Sequence, residues 1–215
     1  VPALARHAVR LGAAIIEDCA VRAVDVAGGK VTGVITEQGR MACDQVVLAG
    51  GAWSSLFLRR HGIEIPQLSV RATVAATEPL PDIHAGQAAD NHFAFRRRAD
   101  GGYTLALGSF HELLIGPDAF RRLPKFLQQL QADPFGTSYK PFAPRDYPDA
   151  WFTRRNWAEH EVSPFEHMRV LNPAPNRWAM RKMQELFAAA FPHVGKPKIK
   201  LAWAGMIDSM PDIVP

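Results

Sequence analysis

The run Val46-Val-Leu-Ala-Gly-Gly51 constrains this chain more than any other stretch of it. Its apolar residues are unbroken, and two glycines end it. A continuous apolar strand, rather than an alternating one, is what a parallel sheet covered by helices on both faces requires. Ala52-Trp53-Ser54 follows, then a helical stretch from Ser55 to His61 with Ser54 as its expected N-cap. Gly50 and Gly51 remove side chains where backbone can approach a ligand, just before a helix N-terminus that favours anions. Close strand–helix packing is the competing reason for a glycine at Gly51.

On either side of that run the chain changes character. Upstream, residues 3–11 place Leu4, Ala8 and Leu11 on one helical face, and Gly12 supplies a stop. Val21 to Val26 alternates like a half-buried strand, Ala27-Gly28-Gly29-Lys30 is hairpin chemistry, and Val31 to Thr36 is the partner strand. A further turn at Gln38-Gly39 leads into Met41-Ala-Cys43, and Gly62 and Pro66 close the block. Downstream, strands are expected over Ser69–Ala76, Phe93–Arg97 and Tyr103–Leu107, with a turn at Asp100-Gly101-Gly102. One amphipathic helix is expected over Asp118–Gln131, with Phe120, Leu123, Leu127 and Leu130 on one face and Pro124 in its first turn. A second runs from Trp178 to Phe191, clustering Met180, Met183, Phe187 and Phe191 before Pro192. Lys200 to Pro215 begins as a strand and then turns, so one domain interrupted by another is the expected organisation, with boundaries near residues 66 and 200.

Few chemistries are supported by motif. No Gly-x-Gly-x-x-Gly, no phosphate loop and no nucleophile elbow around Ser54-Ser55 is present. The 8 histidines show no pair at metal-ligand helical spacing, so no metal is expected. The net charge of +4 comes from short clusters such as Arg96-Arg97-Arg98, which fit a solvated surface better than a nucleic-acid reader. Cys19 and Cys43 make no disulfide framework, which favours a reducing, cytoplasmic setting. No apolar run approaches the roughly 20 residues of a membrane-spanning helix. The chain opens on Val1 and stops at Pro215 after the apolar Ile213-Val214, and is expected to be an internal segment of a longer protein.

Four elements, in order, resemble the FAD-dependent oxidoreductases of the D-amino-acid oxidase, glycine oxidase and sarcosine oxidase superfamily. They are Arg10-Leu-Gly-Ala13 with the Gly-Gly-Lys hairpin and Val31-Thr-Gly-Val34; Cys43 to Ser54; Ala99-Asp-Gly-Gly-Tyr-Thr-Leu-Ala-Leu-Gly108; and Phe191-Pro192 with Trp203-Ala-Gly-Met-Ile-Asp-Ser-Met-Pro-Asp212. The implied fold is α/β with α+β: a partial Rossmann-like FAD domain (1–66 and 200–215) interrupted by a substrate domain (67–199) with a mixed, largely antiparallel sheet. The implied reaction is hydride transfer from an amine-bearing carbon of an amine or amino acid to FAD.

The resemblance implies that Val21 meets the adenine side of FAD through its backbone, that Ala49, Gly50, Gly51 and Trp53 lie near the cofactor, and that the Gly205 strand returns under the flavin. Trp53 and Trp203 are otherwise core aromatics. Carboxylate-binding members often carry Arg where this chain has Ile207, and Thr where it has Met210. Losing that arginine removes a bidentate clamp. Arg96 or Arg98 could replace it, because strand alternation sends Arg97 to the opposite face. Asp212 could cap the final turn. The catalytic residues are left unassigned: no general base is visible in the sequence, and the resemblance does not oblige one. The segment by itself is expected to bind FAD weakly or not at all, and a homo-oligomer is compatible with it. The rival readings are a cofactor-free binding or regulatory module and, behind it, an anion or nucleic-acid binding domain.

Overall fold

A computed structural model describes residues 2–108, 110–132 and 137–211, with the side chain of residue 132 left aside. Asp212 and Pro215 therefore lie outside the described residues. The chain begins with α1 (Pro2–Arg10), which buries none of its residues, Leu4 included. A three-stranded antiparallel meander follows: β1 (Val21–Ala27), β2 (Lys30–Thr36) and β3 (Gly39–Ala42). The hairpin forms where expected, because Gly28 and Gly29 adopt φ of 57° and 76°, the left-handed pair a two-residue hairpin turn needs.

Val46–Gly51 departs from expectation. No strand forms there, and Val47 is 91% exposed. A strand buried on both faces needs hydrogen-bonding neighbours, and among the described residues none pairs with this run. It leads into a 3-10 turn, Gly51–Trp53, and then α2 (Ser54–Arg60). Ser54 makes no side-chain cap here. Instead the Gln67 side chain accepts from the Ser55 backbone N–H at 2.8 Å and donates to the Gly51 carbonyl at 3.0 Å, tying the helix start to the next block.

That block holds β4 (Leu68–Thr77), β5 (Gln87–Ala89), β6 (Phe93–Arg97), β7 (Tyr103–Leu107), β8 (His111–Leu114), α3 (Pro117–Ala132), β9 (Thr137–Lys140), the single turn α4 (Pro164–His167), α5 (Arg177–Ala190) and β10 (Ile199–Ser209). Seven strands form one sheet in the order β5-β6-β7-β4-β8-β9, with β10 on the other edge of β4; only β8 and β9 run parallel. The sheet is thus mixed and largely antiparallel, as the sequence led one to expect. β4 is shared along one edge by β7, against Val74–Ala76, and by β8, against Val70 and Arg71. The residue-200 boundary falls inside β10, which pairs with β4 from Ile199 to Ser209.

One face of the sheet is the core. Ala75, Phe93, Tyr103 and Leu105 pack against Ala179, Met183 and Phe187 of α5, each large side chain contributing about 1.5–3 kcal/mol. Asn176 caps α5 by accepting from the Trp178 and Ala179 N–H groups. The α3 helix turns the other way from its apolar pattern. Phe120, Leu123 and Leu127 are exposed, while Asp118, Arg122 and Phe126 are buried. Ion pairs of Asp118 with Arg59 and of Arg122 with Glu64 draw the polar face inward. The helix starts at Pro117, one residue before the expected start, and Pro124 lies past its first turn with either start, where its missing N–H forfeits a bond to Phe120.

The proline-rich segment after α3 straps the meander to the large sheet. Arg22 donates to Glu166 at 2.6 Å, the Trp157 indole donates to the Arg22 carbonyl at 3.0 Å, and Arg169 binds Glu37 through two contacts of 2.6 Å.

Candidate functional site

Successive strand residues point to opposite faces, so the β4 residues that meet α5 leave Val70, Ala72 and Val74 facing away from the core. Registered opposite them on β10 are Ile207, Gly205 and Trp203. The same face continues through Ala106 and Thr104 on β7, Ala94 and Arg96 on β6, and Leu113 on β8. It is built mostly of small side chains. Trp203 is 37% exposed and Ile207 47%, and a Cβ added to Gly205 between them would meet nothing within 4 Å. The sequence therefore folds into a sheet with one packed face and one open face notched at Gly205.

At the β8 end the open face deepens into a cleft of about 1160 Å³. Leu68, Val70, Leu113 and Ile207 form its floor; Phe126, Gln129 and Leu130 of α3 form one wall; Leu48, Ser54 and Leu58 form the other. His111, Thr137 and Tyr139 add polarity. The Gln129 side-chain oxygen is buried and has no partner among the described residues. At the far end a shallower depression of about 420 Å³ is lined by Arg96, Thr104 and Ala106. Such a mostly apolar cavity with a few placed polar groups is the usual form of a small-molecule site.

The expected site residues divide. Gly51 reaches the end of β10: its φ is +53°, and a Cβ there would lie 3.7 Å from the Asp208 carboxylate. Gly50 precedes it, with Ala49 exposed beside it. These residues, Gly205 and Ile207 are thus gathered around one region. Arg96 shares the open face and is exposed, and its guanidinium has no hydrogen-bond or ion-pair partner among the described residues. Arg98 does not join them, because its guanidinium pairs with Asp100 at 3.1 Å. Arg97 goes to the core face, stacking 4.9 Å over the Tyr103 ring. Val21 lies at the start of the meander, opposite Thr36, away from the cleft. Trp53 is edge-on to Phe165 at 5.4 Å, in an aromatic cluster with Phe57 and Trp157. Gln67, His111 and Gln129 had no local sequence signal marking them.

Two carboxylates are perturbed upward. Burial raises Asp208, against a bond from the Ser69 hydroxyl at 3.4 Å. Burial, reinforced by Asp118, pushes Asp149 up to about 6. Asp149 accepts from the Asp118 backbone N–H at 3.0 Å and lines a small cavity with Leu114 and Met206 on the packed side of the sheet, so its shift belongs to structure and not to the cleft. A carboxyl whose folded pKa is raised contributes stability that is present below the unfolded value and lost as pH rises through the folded one. Asp149→Asn is therefore expected to gain on the wild type by up to about 3 kcal/mol between pH 4 and pH 7, read as the difference in denaturant unfolding free energy across that range. A pH-independent difference would refute the assignment.

No group of three His, Cys, Asp or Glu side chains among the described residues could hold a metal ion, and no helix among them is long and apolar enough to cross a membrane.

Comparison with known proteins bears on this geometry. The family described as FAD dependent oxidoreductase matches residues 1–215. The D-amino acid dehydrogenase of Sinorhizobium medicae (strain WSM419) is 42% identical over 80 residues, covering 37% of this chain and 19% of that protein. The formaldehyde-forming 4-methylaminobutanoate oxidase of Paenarthrobacter nicotinovorans is 31% identical over 149 residues, 66% of this chain and 17% of that one. The structure of the L-amino acid deaminase from Proteus myxofaciens in complex with anthranilate superposes with a TM-score of 0.89 at 30% identity, covering 100% of this chain and 47% of the deaminase. The chain thus spans about half of the solved relative, and its matches cover less than a fifth of these two curated proteins.

Proposed function

The chain belongs to the family of FAD-dependent oxidoreductases, and from that membership we propose that it forms the substrate-binding part and some of the cofactor wall of an enzyme that oxidises an amino acid or a related amine. The open sheet face is the substrate surface. The domain division we propose runs 1–66 and 200–215 on the cofactor side and 67–199 on the substrate side. FAD, when bound, supplies the two-electron acceptor for the chemistry.

The open face fits a planar group, because Gly205 leaves an unfilled notch between Trp203 and Ile207. Ala49, Gly50, Gly51, Trp53 and Gly205 are the residues that would hold the flavin end, and Val21 the adenine end. The chain's own task is to orient the amine-bearing carbon and exclude water while that carbon gives up a hydride and the nitrogen a proton; the resulting imine is then hydrolysed by water. We place this protein in the cytoplasm, acting on a small molecule and not on nucleic acid.

One observation carries the substrate reading. Arg96 is a cation on the open face with no counter-ion among the described residues, and Ile207 offers no charge. Arg96 is the carboxylate-binding residue in this proposal. In flavin-loaded protein, Arg96→Gln should raise KM for a carboxylate-bearing amine by about 10–100-fold, the equivalent of one charge-assisted interaction. An amine lacking the carboxylate should be unaffected. Equal KM values for both proteins on the carboxylate substrate would remove Arg96 from the site.

A companion expectation concerns the 215-residue chain itself. With Ala49 exposed and the run before it unpaired, it should bind FAD weakly or not at all. Purified chain carrying stoichiometric flavin absorbance would overturn that.

A further inference from the structure

Three separate stretches of the chain meet at one buried side chain. Gln67, 6% exposed, stands immediately before β4. Its oxygen accepts from the Ser55 backbone N–H at 2.8 Å, and its nitrogen donates to the Gly51 carbonyl at 3.0 Å. The same side chain, together with the Ser69 hydroxyl, bonds the Asp208 carboxylate on β10. A primary amide offers two N–H donors and one oxygen acceptor, and only one way of turning it serves these three partners. The Gly51–Trp53 turn, the start of β4 and the end of β10 are thereby fixed to one another.

Gly51 takes a φ of +53°, and a Cβ there would lie 3.7 Å from the Asp208 carboxylate, so the turn rests directly on β10. Three residues back along that strand is the Gly205 notch. The turn belongs to the cofactor wall and the notch to the open sheet face, and Gln67 is bonded to both sides. We propose that Gln67 is a positioning residue for FAD: without touching the cofactor, it holds the Gly50–Gly51 backbone at a set height over β10. The inference rests on the assignment of cofactor wall and open face given above, and adds the device that fixes the gap between them. Such gaps matter because a binding constellation must be held to within about 0.5 Å of its working geometry.

The junction asks for one acceptor and two donors at a single point, which makes the amide hard to replace. Glutamate has the same outline and still accepts from the Ser55 N–H. Its ionised carboxylate, however, has no hydrogen for the Gly51 carbonyl and repels Asp208. Burial and the neighbouring carboxylate both raise the pKa of such a group, so acidification returns a proton and with it one donor. Methionine keeps the length but bonds to nothing, leaving a buried N–H and a buried C=O unpaired at every pH.

FAD affinity, read by flavin fluorescence titration of protein carrying the whole cofactor site, tests the proposal. At about pH 8, Gln67→Glu should bind FAD at least about tenfold more weakly than wild type, the equivalent of one unmade buried hydrogen bond. At about pH 5 the ratio to wild type should close to about threefold or less, as the introduced carboxyl regains its proton. Gln67→Met should stay about tenfold weaker at both pH values. In the 215-residue chain, which needs no flavin, amide exchange over residues 51–55 should quicken about tenfold in Gln67→Met while α5 keeps its wild-type rates. Protection lost equally in α5 would assign Gln67 to general stability and overturn the proposal. So would a Gln67→Glu deficit that is the same at both pH values. Wild-type protein that takes up no flavin overturns the functional reading and this inference with it. Wild type that takes up flavin, beside variants of equal affinity, overturns this inference alone.

Discussion

Glu112→Ala is expected to destabilise the protein by about 3 kcal/mol, the lower end of the range for breaking a buried ion pair. Glu112 is 1% exposed. It accepts from Arg71 at 2.9 Å and from the Asn176 side chain at 2.7 Å, so two elements lose their anchor together. Arg71 keeps 19% side-chain exposure and can recover some hydration, which holds the loss to the low end. Asn176 also caps α5, so the carboxylate fixes the residue that starts the helix covering the core. The double variant Arg71→Met with Glu112→Leu should recover part of the loss, because removing both charges leaves no buried ion uncompensated while the Asn176 bond stays lost. Urea midpoints of the three proteins decide this; a double variant no better than the single one would mean the shape of the pair, and not its charge, is what matters.

Gly116→Ala should cost a similar amount, about 3 kcal/mol, by overpacking. A Cβ built there would overlap the Asp149 carbonyl oxygen and crowd its carboxylate. Neither can withdraw, because that carboxylate holds the first turn of α3 through the Asp118 N–H and contacts Arg155 at 3.3 Å. Gly205→Ala is the matched control, since nothing lies within 4 Å of its Cβ and its φ is not positive. Thermal unfolding should separate the two by many degrees. Equal melting temperatures would show that the connection into α3 relaxes freely.

What could be read in the sequence was what is decided locally. The Gly28-Gly29 hairpin, β6, β7 and α5 depend on alternation, turn chemistry and a clear helical stripe, and all appeared within a residue or two. Distant partners decided the rest. The Val46–Gly51 run has strand composition, but a strand exists only by pairing, and no pairing is present among the described residues. The α3 stripe predicted the wrong inward face because ion pairs from Arg59 and Glu64, some 60 positions earlier, outweigh three apolar side chains. At the site, alternation alone separated Arg97 from its neighbours. Arg98 could have been set aside, since an aspartate two residues on in a glycine turn is an obvious partner. Gln67, a lone glutamine before a strand, carried no signal, because its role is created by two backbone groups of another segment.

The strap of residues 154–169 gives the molecule a mechanical character that its domain pattern hides. The meander is anchored through Arg22 and Glu37 to the segment that also shields the large sheet. Tension on the first forty residues is therefore passed along side chains to Glu166 and Arg169, bypassing the backbone link at 61–67. The two sheets are therefore coupled by side-chain contacts as well as by the backbone between them.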